Sequence, residues 1–322
     1  MTSLKRFGLA TAALLFAAVT LLGATPASFA QQESGGSGVQ VSPTRTEIAV
    51  NPGERKTVTI TVKNVTQGPI VVQPEINDFE SDNESGKPRI IVDPKIRSDY
   101  TIREFLGPMP DFELAANQVK DFEVVVAPSK DTAPGGYFGA LRFVAVPKSR
   151  VNNQTAAERQ VALTASVASL LLVQVNGAIT ESIKIEQIEV LLNGQAGGFF
   201  TKPPTQALVR IANTGNSFVK PFGKVSVNKG NKEVFNYELN NQDPRSNVLP
   251  GSSRNFRDDI KNIGGFGKFT VSANISANQG GEVLSVSKSF WLVPLWMLLA
   301  AGGLAAALLL AVIFLMIKRR RG

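Results

Sequence analysis

Four carboxylates fall at every second position, Asp78, Glu80, Asp82 and Glu84, with Gly86 two residues on. Calcium collects carboxylate and carbonyl oxygens along a loop of this kind, so the stretch is a candidate calcium site. It departs from the EF-hand pattern, because Asn83 stands where the sharp turn takes glycine and Arg89 where the bidentate acid belongs. The alternative is a solvated acidic turn. The chain contains no histidine and no cysteine. That removes Ser-His-Asp and Cys-His nucleophiles and most zinc sites, and leaves only carboxylate pairs or Ser-Lys pairs for chemistry. The inventory points away from an enzyme, with no catalytic residue and no cofactor to name.

A different kind of signal lies in residues 137–146. Tyr137, Gly139, Leu141, Phe143 and Ala145 share one face of an extended segment, and Phe138, Ala140, Arg142, Val144 and Val146 share the other. A strand apolar on both faces is covered on both, or keeps one face for a partner. Phe138 and Arg142 are therefore the candidate partner-binding residues. Arg142 would meet a partner's carboxylate, or else lie at an edge with its stem over carbon. The cover, if internal, would come from residues 150–175.

The elements that position these residues read as strands. In residues 56–64, Val58, Ile60 and Val62 alternate with threonines and a lysine, the pattern of a half-buried strand. Residues 39–50 predict another strand, with Pro43 at an edge or bend. Further strands are expected over 70–79, 89–92, 101–106, 121–126 and 137–146. Residues 161–175 read as one or two strands, with a helix as the alternative. The grammar then repeats: Ala207, Val209, Ile211 and Asn213 answer Val58, Ile60, Val62 and Asn64, and Gly267-Lys268-Phe269 answers Gly136-Tyr137. Short strands with turn residues between them predict an all-β chain of two tandem immunoglobulin-like β-sandwich domains, over 39–178 and 179–289. In that fold the Tyr137 hydroxyl would make a corner bond.

Both ends of the chain address a membrane. Residues 290–317 carry no charge and are followed by Lys318-Arg319-Arg320-Arg321. That is long enough for a single C-terminal transmembrane helix, with Trp291 and Trp296 at its outer end and the basic tail, 318–322, in the cytoplasm. Ala301, Gly302 and Gly303 recur as Ala305, Ala306 and Ala307, a spacing that permits self-association. Lys5-Arg6, an apolar run and Ala27-Ser28-Phe29-Ala30 predict a signal peptide over 1–30 cleaved after Ala30, with a flexible linker at 31–38. The formal net charge of +8 loses its meaning once these ends are set aside. Residues 31–289 carry 28 basic and 26 acidic groups, too even a balance to recruit nucleic acid by charge. Without cysteine, an exported chain must stabilise its cores by packing alone.

The opening V-x-V-x-P-x-R-x-x-I-x-V-x-P-G-E, the strand V-T-I-T-V-K-N and the later A-P-G-G-Y-F-G-A-L-R-F resemble the peptidoglycan-binding domain of WxL-interacting proteins. The likeness covers roughly residues 39–177 and the layout of the whole chain; its most distinctive piece is Pro134 to Ala140, with Gly135, Gly136, Tyr137 and Gly139. It implies a bacterial surface protein whose first sandwich contacts peptidoglycan and whose second contacts another protein. The function expected is a non-catalytic, single-pass cell-surface module that binds peptidoglycan or a surface protein. The alternatives are a chaperone-like assembly subunit acting by strand addition, and a carboxylate-based envelope hydrolase.

Overall fold

The computed structural model describes residues 38–148, 165–278 and 281–321. The expected leader, its cleavage point after Ala30 and residues 31–37 of the linker lie outside them. The run over 39–50 does not form one strand. It divides at Pro43 into β1 (Val39–Ser42) and β2 (Arg45–Val50). Proline has no N–H to give a ladder, so the chain changes sheets there. β1 pairs antiparallel with β3 (Lys56–Asn64), while β2 runs parallel to β9 (Ala165–Val175).

Five more strands complete the first sandwich: β4 (Ile70–Ser81), β5 (Pro88–Ile91), β6 (Phe112–Leu114), β7 (Val119–Val126) and β8 (Gly135–Pro147). One sheet is ordered β1-β3-β7 and the other β2-β9-β8-β4-β5, with β6 on β4. Val58, Ile60, Val62, Leu141 and Phe143 are all buried between them, as their alternation predicts. Residues 101–106 are an exception to the strand pattern, making a single 3-10 turn at Arg103–Phe105. Ile102 and Phe105 both enter the core from that turn. In extended backbone, side chains three apart would point to opposite faces. Residues 165–175 are strand throughout, which decides between strand and helix there; 161–164 lie outside the described residues.

The second sandwich comprises β10 (Ile183–Leu192), β11 (Gln195–Ala196), β12 (Phe199–Phe200), β13 (Gln206–Asn213), β14 (Phe222–Lys229), β15 (Lys232–Leu239), β16 (Ser253–Asp259), β17 (Gly267–Ser276) and β18 (Val283–Leu292). Its sheets are β11-β10-β13-β16 and β12-β18-β17-β14-β15, closed on a core that includes Val209, Ile211, Phe269, Val271 and Phe290. The repeat read in the sequence has a physical counterpart. β3 and β13 each end on a buried asparagine whose Oδ1 accepts the N–H two residues on, from Thr66 and Gly215. Asn64 Nδ2 donates to the carbonyls of Gly68 and Leu114, and Asn213 Nδ2 to those of Ser217 and Val248.

The apolar run at the C-terminus is shared between two structures. Phe290 and Leu292 are inward residues of β18, and the helix α1 begins only at Leu295. Core and membrane ask for the same side chains, so composition does not mark the join. α1 (Leu295–Arg321) still has 27 residues, about 40 Å, and is long and apolar enough to cross a bilayer.

Candidate functional site

The motif Pro134 to Ala140 lies where the two sandwiches meet. Gly136 N–H donates to Asn216 O at 2.7 Å. A Cβ on Gly135 would sit 2.9 Å from that same carbonyl, and one on Gly136 2.9 Å from Phe218 N. The glycine pair is thus required by backbone of the second sandwich pressing on β8. Gly139 serves a different neighbour: a Cβ there would lie 2.6 Å from Ile102 Cγ1. Between them the Tyr137 hydroxyl donates to Ala133 O at 2.9 Å, the corner bond expected of it. Burial raises its phenol pKa.

Phe138 faces away from the core, as the alternation requires, but it is not free. It is 3 % exposed, in a cluster with Phe79, Ala140 and Leu172 that meets Leu249 and Phe218 of the second sandwich. Its ring lies 5.0 Å from Phe79 and 5.5 Å from Tyr100. Residues 165–175 do not lie over it, because β9 pairs beside β8 within the same sheet; residues 150–164 of the expected cover lie outside the described residues. Cover comes from Tyr100 of the same domain and from Leu249 and Phe218 of the second sandwich. Arg142 is half-exposed on the same face and is met inside its own domain, by the Glu75 carboxylate and, through Nε, by Asn77 Oδ1 at 3.1 Å.

The four alternating carboxylates do not converge on a calcium site. Among the described residues no group of three or more acids could hold a metal. Spacing of two along extended backbone separates such groups by about 7 Å, and Asp78, Glu80 and Asp82 each have partners of their own. Asp78 is fully buried, accepting from Thr101 Oγ1 at 2.7 Å and Ser98 N–H at 3.1 Å and pairing with Arg103 Nε at 3.3 Å. Glu80 pairs with Arg89. Asp82 accepts from Ser85 Oγ at 2.5 Å and from the N–H groups of Glu84 and Gly86, and these bonds, Ser85 first, hold its carboxyl well below the usual carboxylate range. The turn instead clamps the second sandwich. Glu84 O accepts from Asn255 N–H at 2.6 Å, Asn83 O from Arg210 Nη1 at 2.9 Å, and Asn83 Oδ1 from Ser253 N–H at 3.1 Å. On the opposite side Glu47 takes Lys220 Nζ at 2.6 Å and Asn247 Nδ2 at 2.8 Å, beside a cleft of about 570 Å³ between the sandwiches.

What the seam leaves open is the edge of β9. The strand pairs with β8 along Ala165 to Val175, but β2 covers only Leu170 to Val175. The cause is the crossing at Pro43, where β1 stays in the other sheet and Ser169 Oγ donates to Pro43 O at 2.7 Å. Leu170 N–H donates outward to Thr44 O. Strand alternation then turns the N–H and C=O groups of Ser166 and Ala168 to that same outer side, where no strand among the described residues pairs with them. Around this half-edge Val167, Ala168 and Leu170 are only partly buried, and residues 165–175 carry no charged side chain. Sequence reasoning did not single out these positions; the uncharged run was visible, the missing neighbour was not.

No protein-family model matches the chain, and no curated protein sequence does. Among solved structures it is similar to the class 5 fimbriae chaperone CfaA, at 12% identity and a TM-score of 0.40, over 80% of this chain and 100% of that one. It is similar to a chain of the CsuC–CsuE chaperone–tip adhesion subunit pre-assembly complex of Acinetobacter baumannii, at 12% identity and a TM-score of 0.36, over 77% of this chain and 97% of that one. It is also similar to the CupB2 chaperone of Pseudomonas aeruginosa, at 11% identity and a TM-score of 0.36, over 78% of this chain and 100% of that one. Superposition at this level decides nothing about function.

Proposed function

We propose that the protein is a non-catalytic binder of another envelope protein, held to a membrane by α1 with its sandwiches outside and its basic tail inside. It takes up an extended segment of its partner as a strand added to β9. The observation that carries this reading is the half-edge at Ser166 and Ala168, whose outward main-chain groups lack a neighbouring strand among the described residues. An added strand gains main-chain hydrogen bonds there, and its alternate side chains find Val167 on one face and Ala168 and Leu170 on the other. The edge has none of the charges with which exposed strands discourage pairing.

Ala168→Pro tests this directly. It removes the outward N–H at 168 and none of the bonds to β8, so folding is expected to survive while capture fails. A photocrosslinking side chain at Ser166 in the full-length protein should give a discrete partner adduct that disappears in the Ala168→Pro background. An adduct of unchanged yield would sink strand addition.

A second reading, contact with peptidoglycan, is favoured by a polar cleft of about 370 Å³ between β15 and β16, with Asn241, Gln242, Arg257 and Asp258 on its walls. Amides and carboxylates of this kind bond sugar hydroxyls and peptide groups. Co-sedimentation with purified peptidoglycan that Gln242→Ala leaves unchanged would count against it.

A further inference from the structure

Three large aromatic side chains of the sandwiches are exposed among the described residues, Phe199, Phe266 and Trp291, each more than half. All three lie at one end of the second sandwich, the end from which α1 leaves. Phe199 in β12 and Lys268 in β17 are the cross-strand partners of Trp291 in β18. Cross-strand partners share a face. The row Phe199, Trp291, Lys268 therefore lies on the outer surface of the sheet, opposite the buried Phe200, Leu292 and Phe269. Phe266 is in the turn just before β17, with Lys229 Nζ 5.5 Å from its ring centre. Lys202, Lys232 and Lys261 are exposed in the neighbouring turns and strand end; Asp259 and Glu233 are the acids nearby, and Glu233 pairs with Lys224.

We infer that this end of the second sandwich is a membrane seat, with the aromatic rings in the headgroup region and the lysines on lipid phosphates. The inference rests on the membrane-anchored reading above and adds a second contact to it. What covers the rings follows from the connection. Only Val293 and Pro294 separate β18 from α1, and Val293 N–H is itself bonded to Phe200 O at 2.9 Å. A sandwich so tied has no tether with which to stand away from the bilayer its helix crosses. Aromatic rings with a polar or cationic rim favour that interface, and lysine stems lie along it with their charges toward phosphate. The same end facing water would leave a contiguous apolar patch with no role.

The full-length protein in phosphatidylcholine–phosphatidylglycerol vesicles with brominated acyl chains tests the seat. Its only tryptophans are Trp291 and Trp296. Trp291→Phe leaves Trp296, in α1, as reporter of the span. Trp291→Phe with Trp296→Phe and Phe266→Trp leaves a reporter on a turn far upstream of the helix. Both reporters are expected to be quenched by brominated lipid and shielded from aqueous iodide. Quenching at 296 with none at 266 would overturn the seat and keep the anchor. Silence at both would overturn the anchor, and the seat with it. Adding Lys202→Glu and Lys268→Glu is expected to reduce lipid quenching at 266 and spare that at 296; no change at 266 would remove the lysines from the inference.

Discussion

The last strand of each sandwich has one side partly open, yet β9 and β18 present different things along it. Among the described residues no strand pairs with the outer side of β9 over its first half, because β2 arrives late, and that half offers alanine, serine and valine. Among the described residues β18 is paired on that side only at Trp291 and Leu292, by β12. Its open stretch carries Ser285, Ser287 and Ser289, with Lys288 paired to Glu189 on the facing sheet. Serines that bond their own neighbours, as Ser285 does with Asn274 and Ser289 with Thr270, give an incoming strand little apolar surface to bury. One frame, used twice, has become an edge suited to pairing in the first domain and a stem for the helix in the second. The comparison teaches that duplicated topology leaves function to whatever lines the same position.

The largest effect expected from breaking the comparison is in the cores, where the two sandwiches should behave alike. Phe143 in β8 and Phe269 in β17 are both fully buried, each in the core of its own sandwich. Either one changed to alanine should cost about 3–5 kcal/mol in equilibrium unfolding, through lost burial and a cavity. A loss under about half a kilocalorie at Phe143 would mean that β8 is wrongly placed.

Next come the two asparagines. Asn64→Ala and Asn213→Ala each leave a partly buried N–H and a buried carbonyl without their partner, at about 1–3 kcal/mol for each buried group left unpaired. Similar losses are expected in denaturant titrations of the two variants. A large loss at one and none at the other would show that the repeat is one of shape alone.

Gly136→Ala separates the domains in kind. The added methyl meets Phe218 N, so about 1–3 kcal/mol should be lost from the seam while the two cores stay intact. Limited proteolysis should then cut near Gly177 faster than in the parent protein, with each sandwich still resistant. An unchanged cleavage rate would mean that the seam has other ways to close.

Edge prolines should change stability least and function most. Ala168→Pro and Ser287→Pro both remove an outward N–H on an open edge, and each is expected to shift unfolding by less than about 1 kcal/mol. Only the first should abolish partner capture. Loss of capture in both, measured by the Ser166 crosslink, would make the two edges equivalent.

The smallest expected effect is one of pH, and it is confined to the turn of the first sandwich. Asp82 has its pKa lowered by Ser85 and by backbone N–H groups, so its bonds favour the folded state when it is ionised. That contribution is present above the ordinary carboxylate range, near pH 4, and is lost as pH falls through the lower folded value. Asp82→Asn should remove this acid sensitivity of the 82–86 turn, read as backbone amide shifts at Asn83 and Glu84.

Much of this was legible from residue order because it depends on periods and compositions that neighbours impose locally. Alternation in 56–64 and 137–146 determined strands and which side chains enter the core, since a two-residue period can bury only one set. Asn64 and Asn213, each before a turn, marked the repeat. The absence of histidine and cysteine narrowed the chemistry, and the uncharged run before four basic residues announced a helix able to span a bilayer. The tertiary structure alone decided what lay against these elements. The acidic stretch looked like a metal loop because spacing says nothing of the partners the carboxylates take, here Arg103 for Asp78, Arg89 for Glu80, and Ser85 with the backbone of residues 84 and 86 for Asp82. Phe138 looked available because its cover, Leu249 and Phe218, lies about a hundred residues away in the chain. The start of α1 was hidden because a core and a membrane select the same apolar residues. The open half of β9 was hidden as well, because an edge is the absence of a neighbour, and only the path of β2 after Pro43 determines where that neighbour stops.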